Sequence, residues 1–422
     1  MKRIDRALLR TLLLILLCCQ HPLSAEKTVF RNITVFTGKE VLPQQMVIIQ
    51  EDTVEYVGPE TVFPKNATII NGEGHTLLPG LIDAHVHVIS REALRQSLNF
   101  GVTTVIDMFM SVNMMNEIKK EQAGNPAGEE AFLVSAGMIF TAPGGHGTQY
   151  GIPCHTITSP EQADSLVAEC IAMGSDFIKI IYDNGNWMNR ALPSPSRQEL
   201  KQVITAAHKH DMKAVVHVLS IEEAITAVES GADGLAHIYC EAGWSEKLGR
   251  LLAENDLFII PTLSVHESMC RLRPENIIVE DTLLGPWLSP GGKMLLQNRF
   301  PLALDGKNFT GAANAVNTLN TLGIKLLAGT DAPNPGTTYG ASLHREMELL
   351  VNAGLTPVEA LISATRIPAD VFGLSHRGRI EKGAVADLVM VSGKPHINIT
   401  DTKKIESIWK QGKIVQREKY QH

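Results

Sequence analysis

The 422-residue chain is 44% hydrophobic and 20% charged, an ordinary globular composition that excludes disorder, collagen-like repeats and a fibrous rod. Lys and Arg total 38 against 45 Asp and Glu, and the net charge of −7 lacks the basic surplus of a general nucleic-acid binder. The length allows one large α/β barrel or two ordinary domains.

The first element in chain order is a targeting segment. Lys2, Arg3, Arg6 and Arg10 form a positive start, Thr11 to Cys19 a short apolar run, and Leu23-Ser24-Ala25 a cleavage point. Residues 1–25 therefore read as a secretory signal peptide, and the chain as exported to the periplasm or beyond. The alternatives are a membrane anchor, which needs about 20 apolar residues, and lipid attachment at Cys18 or Cys19. No later stretch is long and apolar enough to span a bilayer. Four cysteines follow the cleavage point: Cys154, Cys170, Cys240 and Cys270. They lack the Cys-x-x-Cys spacing of a structural zinc site and read as free thiols, although export would permit disulfides. Asn-x-Thr sequons stand at Asn32, Asn66, Asn308 and Asn398.

Short alternating runs at Thr28–Phe30, Gln45–Gln50, Val54–Val57 and Thr68–Ile70 read as antiparallel strands, as do Asp387–Ser392 and Ile405–Gln411 near the end. Residues 26–78 and 376–422 are expected to combine into one small β-sandwich. Between them lie eight Val-, Ile- and Leu-rich runs: His75–Asp83, Val102–Asp107, Ala131–Ala136, Phe177–Tyr182, Ala214–Leu219, Gly234–Ile238, Leu257–Thr262 and Ile324–Thr330. Lack of strict alternation suits parallel strands buried on both faces. Ser159-Pro160-Glu161-Gln162, Ser220-Ile221-Glu222-Glu223 and Thr356-Pro357-Val358-Glu359 are capping boxes that open helices between or after the strands. The pattern predicts an α/β fold, a (β/α)8 TIM-like barrel over residues 79–375. A doubly wound open sheet is the alternative, but the turn after the first strand carries Asp83-Ala84-His85 instead of a Gly-rich phosphate turn.

Barrel chemistry sits at the C-terminal ends of the strands. His85 and His87 close the first strand, and residues i and i+2 of an extended chain point the same way, so the pair can share a cation. Lys179 lies in the apolar fourth strand, where an ammonium must be paired or neutralised. His217 ends the fifth strand, His237 the sixth and Asp331 the eighth. Each alone is more often a hydrogen-bonded core or loop group. Six candidate ligands at one end of five strands are hard to obtain by packing alone. Nitrogen and oxygen donors without thiolate suit zinc first, with iron, manganese, nickel and cobalt also fitting.

At this point the chain resembles the amidohydrolase superfamily of metal-dependent hydrolases. The motifs are Leu78-Pro79-Gly80-Leu81-Ile82-Asp83-Ala84-His85-Val86-His87, Gly101–Val105, Ala364–Ala369, Gly378–Gly383 and Ala386–Val389. The resemblance covers nearly the whole chain after the signal and is nearest the imidazolonepropionase-related group with its prolidase-like dipeptidases. It implies two divalent metal ions. His85 and His87 would hold the buried ion with Asp331, and His217 and His237 the outer one. Lys179 would be a carbamate bridging the two. It further implies attack by a hydroxide held between the metals, with Asp331 as general base and then acid. His146, in Thr141-Ala142-Pro143-Gly144-Gly145-His146-Gly147, resembles the family's loop histidine that meets the scissile carbonyl oxygen; its alternative is an exposed residue of a Gly-rich turn. Tyr182 is a candidate substrate contact or simply packing. The implied reaction is hydrolysis of a C–N bond in a small amide or dipeptide. Lactone or ester hydrolysis and deamination are alternatives on the same centre, and a non-catalytic binding protein is the remaining class. The loops 108–130, 141–158, 183–197 and 264–320 are expected to read the substrate. The resemblance also allows a homo-oligomer.

Overall fold

The structure, a computed structural model, describes residues 27–125, 128–188, 190–272, 277–301 and 303–420. The segment read as a signal peptide lies outside them. The chain begins with β1 (Lys27–Phe36), β2 (Val41–Gln50), β3 (Thr53–Gly58), β4 (Thr68–Asn71) and β5 (His75–Pro79). β1 pairs antiparallel with β2 and parallel with β4 and β5.

The run His75–Asp83 is two strands, not one: β5 stays with the first sheet, and β6 (Leu81–Val86) starts the parallel part. Gly80 makes the break, and a Cβ there would collide with the Thr103 side chain. β7 (Val102–Asp107) and β8 (Phe132–Ser135) complete a three-stranded parallel sheet. β9 (Ile139–Thr141), β10 (His155–Thr156), β11 (Ile178–Ile181), β12 (Ala214–His217), β13 (Gly234–Ala236), β14 (Phe258–Ile260) and β15 (Lys325–Leu326) form a second. Its order is β10-β9-β11-β12-β13-β14-β15.

The single closed ring expected from eight runs is therefore not one continuous ladder. The third run stops at Gly137, whose φ of +64° suits glycine, and the chain restarts as β9. Across that gap Asp176 N–H donates to the Ser135 carbonyl at 2.9 Å, and the Asp176 carboxylate accepts from Ser135 N–H at 2.7 Å. Across the other gap, Ala84 N–H donates to Ala328 at 2.9 Å and His87 N–H to Ala332 at 2.7 Å. These bonds tie β6 to the segment that ends in Asp331.

Alternate residues of the parallel strands meet in one apolar cluster. It joins Ile82, Ile106, Phe177, Val215, Ala236, Phe258, Ile260 and Leu327. Phe372 lies against it, with its ring 5.1 Å from Phe177 and 5.7 Å from Phe258. Burying each such aromatic contributes roughly 1.5–3 kcal/mol. The opposite face of the same strands packs on helices. Residues Arg197–Lys209, Ile221–Glu229 and Pro357–Ser363 form three of them, the last two opened by the expected capping boxes. Ser159 and Gln162 also form their box, at the head of a short 3-10 turn before the helix Ala163–Ala172.

The chain ends with β16 (Leu388–Ser392), β17 (Ile405–Lys410) and β18 (Lys413–Ile414). β16 pairs antiparallel with β5, so both ends of the chain share one sheet in the order β18-β17-β16-β5-β1-β2-β3. Hydrogen bonds thus link the strands from both ends of the chain into one continuous mixed sheet, with β4 joined to β1 off that path. Phe30 and Trp409 lock the two segments, their rings edge-on at 4.7 Å. The four cysteines are free; Cys170, Cys240 and Cys270 are buried and Cys154 is half-buried. Among the described residues no helix is long and apolar enough to cross a membrane.

Candidate metal centre

β6 carries a bulge that aims its two histidines. Ile82 and Ala84 face the apolar cluster. Simple alternation would then turn His85 and His87 away. Between Asp83 and Val86, however, β6 advances three residues while β7 advances two, from Val105 to Asp107. The extra residue reverses the facing, and both histidines line the cavity above the cluster. A left-handed residue does the same for β13: Ala236 faces the cluster, and His237, at φ +75°, swings back to the cavity side. Asp331 is also left-handed, at φ +56°. Such backbone is uncommon outside glycine and clusters at functional sites.

The six expected residues converge. His85 Nε2 and His87 Nε2 lie 3.2 and 3.0 Å from the same Asp331 Oδ1. The His85 and His237 rings are 4.7 Å apart, and His237 and His217 are 4.6 Å apart. Lys179 and His217 reach the same cavity from β11 and β12. The Lys179 Nζ and His217 Nε2 atoms are buried and have no hydrogen-bond partner. Burial lowers His217 to about 4 and His85 to about 3, and takes His237 well down. All three imidazoles are neutral at pH 7, as ligation requires. Burial likewise lowers the Lys179 amine from 10.5 to about 7. Burial pushes the Asp331 carboxyl up, but His85 and His87 outweigh it and hold it well below the usual range. A buried carboxylate against neutral imidazoles, beside an amine with nothing to bond, is a donor set that suits cations.

The backbone around these residues is held by buried carboxyls. Asp83 accepts from Thr330 Oγ1 at 2.7 Å and Thr330 N–H at 3.0 Å, fixing the residue before Asp331. Asp107 accepts from Val88 N–H at 2.7 Å and Ser135 Oγ at 2.6 Å. Glu346, on the helix Ala341–Asn352, accepts from Leu263 N–H at 2.9 Å and Ser264 N–H at 2.6 Å. That places Thr262, whose hydroxyl lies 2.7 Å from His237 Nδ1 and orients the ring.

The cavity encloses about 400 Å³. His146 lines it, with Nδ1 2.8 Å from Asp183 Oδ2. Met108 and Phe109, residues 144–150, Trp187, Arg190, Leu192, Val265, Met269 and Phe300 complete the walls. All four expected regions contribute, but not all of each is loop: Val112–Gly124 is a helix in the first, and Leu263–Met269, Pro290–Gln297 and Gly306–Thr321 are helices in or at the edges of the last. Tyr182 does not line the cavity; its ring packs on the large apolar core. Lys179 and Ile181 face the cavity, so the intervening parity sends Tyr182 outward. The same parity, continued to Asp183, marks a residue that sequence reasoning missed. His266 was missed too: it is buried at the cavity wall, its Nδ1 3.0 Å from the Thr262 carbonyl.

A family model described as the amidohydrolase family matches residues 76–416. An uncharacterized protein of Mycobacterium tuberculosis is 23% identical over 223 residues, 50% of this chain and 54% of that protein. The chain thus spans about half the length of that curated relative. The imidazolonepropionase of Geobacillus kaustophilus is 23% identical over 424 residues, covering 89% of this chain and 91% of the enzyme. A crystal structure of a Xaa-Pro dipeptidase with bound methionine superposes with a TM-score of 0.75 at 21% identity, covering 93% of this chain and all of that one. With a family model that matches residues 76–416, most of its length, the chain belongs to the amidohydrolase family.

Proposed function

We propose that the chain hydrolyses a C–N bond in a small amide or short peptide at a pair of divalent cations. The observation that carries this is the convergence of His85, His87 and Asp331 with His217 and His237 around the unpartnered Lys179 amine. The first three would hold one cation and the next two the other, with zinc the first choice and a Lys179 carbamate between them. When bound, such a pair activates a water and polarises a substrate carbonyl.

The chain's own residues supply the rest. Asp331, ionised and within reach of both His85 and His87, takes a proton from the attacking water and returns it to the leaving nitrogen. His146 spends Nδ1 on Asp183 and so offers Nε2 to the substrate carbonyl oxygen. The cavity volume suits a ligand of dipeptide size. Leu219, Val265, Met269, Trp187 and Phe300 form an apolar wall for a nonpolar side chain. The dipeptidase named above and the imidazolonepropionase both support C–N chemistry on this scaffold. We place the centre in an eight-stranded barrel beside a two-segment sandwich, and the protein outside the cytoplasm after cleavage at Ala25.

The test is turnover of a library of dipeptides and N-acyl amino acids by wild type and Asp331→Asn. Cleavage of some members by wild type, with most turnover lost in the variant, is the expected result. Equal rates in the two would remove the acid–base role. Turnover of lactones or esters alone would move the reaction to C–O bonds.

A further inference from the structure

Asp183 lies four residues beyond Lys179 on the same side of the extended chain, and its side chain is fully buried. Both of its oxygens are engaged. Oδ1 accepts from Gly185 N–H at 2.8 Å and from Trp187 Nε1 at 3.1 Å. Oδ2 accepts from His146 Nδ1 at 2.8 Å, and His217 Nε2 stands 3.8 Å away, beyond hydrogen-bond range. The histidine it holds has little other support. His146 sits in a turn with Gly144 at φ +69° and Gly147 at φ +103°, and its only other hydrogen bond among the described residues is from Thr141 Oγ1 to its backbone carbonyl.

We propose that Asp183 is the positioning residue of this site: it fixes the ring and tautomer of His146 and pins the turn that places Trp187 in the cavity wall. The proposal rests on the hydrolase reading above, in which His146 Nε2 meets the carbonyl oxygen. An ionised carboxylate only accepts, so His146 must carry its proton on Nδ1. That leaves Nε2 as the atom facing the substrate. The same carboxylate holds Trp187, so one side chain couples the polar end of the site to its apolar wall. The residue acts through His146 and touches no reacting atom itself. His146, Asp183 and His217 also stand close enough together to share a cation, so the metal count below separates a positioning residue from a ligand.

The experiment compares zinc- and bicarbonate-loaded wild type, Asp183→Asn, His146→Gln and the double variant. Three quantities are read: metal per chain, kcat and KM on the best dipeptide, and the 15N shifts of the His146 ring, assigned by their loss in His146→Gln. Asn offers an NH2 group where the carboxylate only accepted, so the ring turns or changes tautomer. The expected result for Asp183→Asn is unchanged metal, kcat lower by about 10²-fold, as for loss of one oxyanion donor, and a shifted His146 signal. The double variant should be no slower than His146→Gln alone. Trp187→Phe removes only the second bond and should raise KM with little change in kcat. Independent, multiplying losses in the double variant would overturn the proposal. So would an unmoved His146 signal, or loss of a metal equivalent, which would make Asp183 a ligand. If wild type cleaves no C–N substrate, the hydrolase reading fails, and the nitrogen shifts still decide whether Asp183 sets the tautomer. Should Asp183→Asn not fold, Asp183→Glu keeps the charge one methylene further out. It should retain the Nδ1–H tautomer while losing part of kcat; full kcat there would count against fixed positioning.

Discussion

Replacing Lys179 with Met separates a metal-binding lysine from a structural one. The amine is buried and has no hydrogen-bond partner. In metal-free protein it is therefore a liability, and a methionine of similar length removes it. Leaving a neutral polar group buried and unpaired costs about 1–3 kcal/mol. Burial also lowers its pKa from 10.5 to about 7, which corresponds to at most roughly 5 kcal/mol against the charged form. The sign follows from proton counts. Between pH 7 and 10.5 the unfolded lysine holds a proton that the folded one has lost, so wild-type stability rises with pH across that window. Near pH 7, metal-free Lys179→Met should thus be more stable than wild type by the neutral-amine cost of about 1–3 kcal/mol plus a charging cost of at most roughly 5 kcal/mol. The gap should narrow towards the neutral-amine cost as pH approaches 10.5. The assay is thermal and denaturant unfolding of chelator-treated protein in bicarbonate-free buffer, beside zinc titration of both forms. The variant should gain stability and lose zinc affinity together. A variant less stable than metal-free wild type at pH 7, or a gap independent of pH, would refute the reasoning.

Other consequences are as specific. A Cβ at Gly329 would lie 2.5 Å from Ile260 Cγ2 and 2.9 Å from His85 Cβ and N, so Gly329→Ala should displace His85 and lower metal per chain, measured by elemental analysis. Unchanged metal content would show that His85 can shift without loss. Burial raises Glu346 from 4.5 to about 8, so its contribution is fully present below pH 4.5 and is lost as pH rises through 8. Melting curves of metal-free wild type and Glu346→Gln should therefore diverge in favour of the variant from pH 5 to 8, and parallel curves would contradict this. Ser220→Ala removes the cap of the helix Ile221–Glu229, where Ser220 Oγ accepts from Glu223 N–H at 3.2 Å. It should cost about 1 kcal/mol by denaturant unfolding without altering bound metal.

Much of the site is legible in the sequence because strand ends are. His85 and His87 share a side by the i, i+2 rule, and Lys179, His217 and Asp331 end runs whose apolar character marks buried strands. What brings His85, His87 and His237 to the cavity is not legible. A one-residue bulge in β6 and a left-handed residue after β13 each reverse the alternation, and neither leaves a glycine at the histidine to announce it. Parity alone could have excluded Tyr182 and found Asp183, since Lys179, Ile181 and Asp183 share one side. His266 comes from a short helix whose placement depends on Glu346, far along the chain. The split of the first run at Gly80 and of the third at Gly137 depends on contacts with Thr103 and on a left-handed turn, which a single run of apolar residues does not display.

The most direct measurement is metal per chain in protein reconstituted with zinc and bicarbonate, for wild type and for His217→Ala. The account predicts two equivalents in wild type and one in the variant, which keeps the pairing of His85 and His87 with Asp331. No bound metal in wild type, or two equivalents retained in His217→Ala, would contradict it.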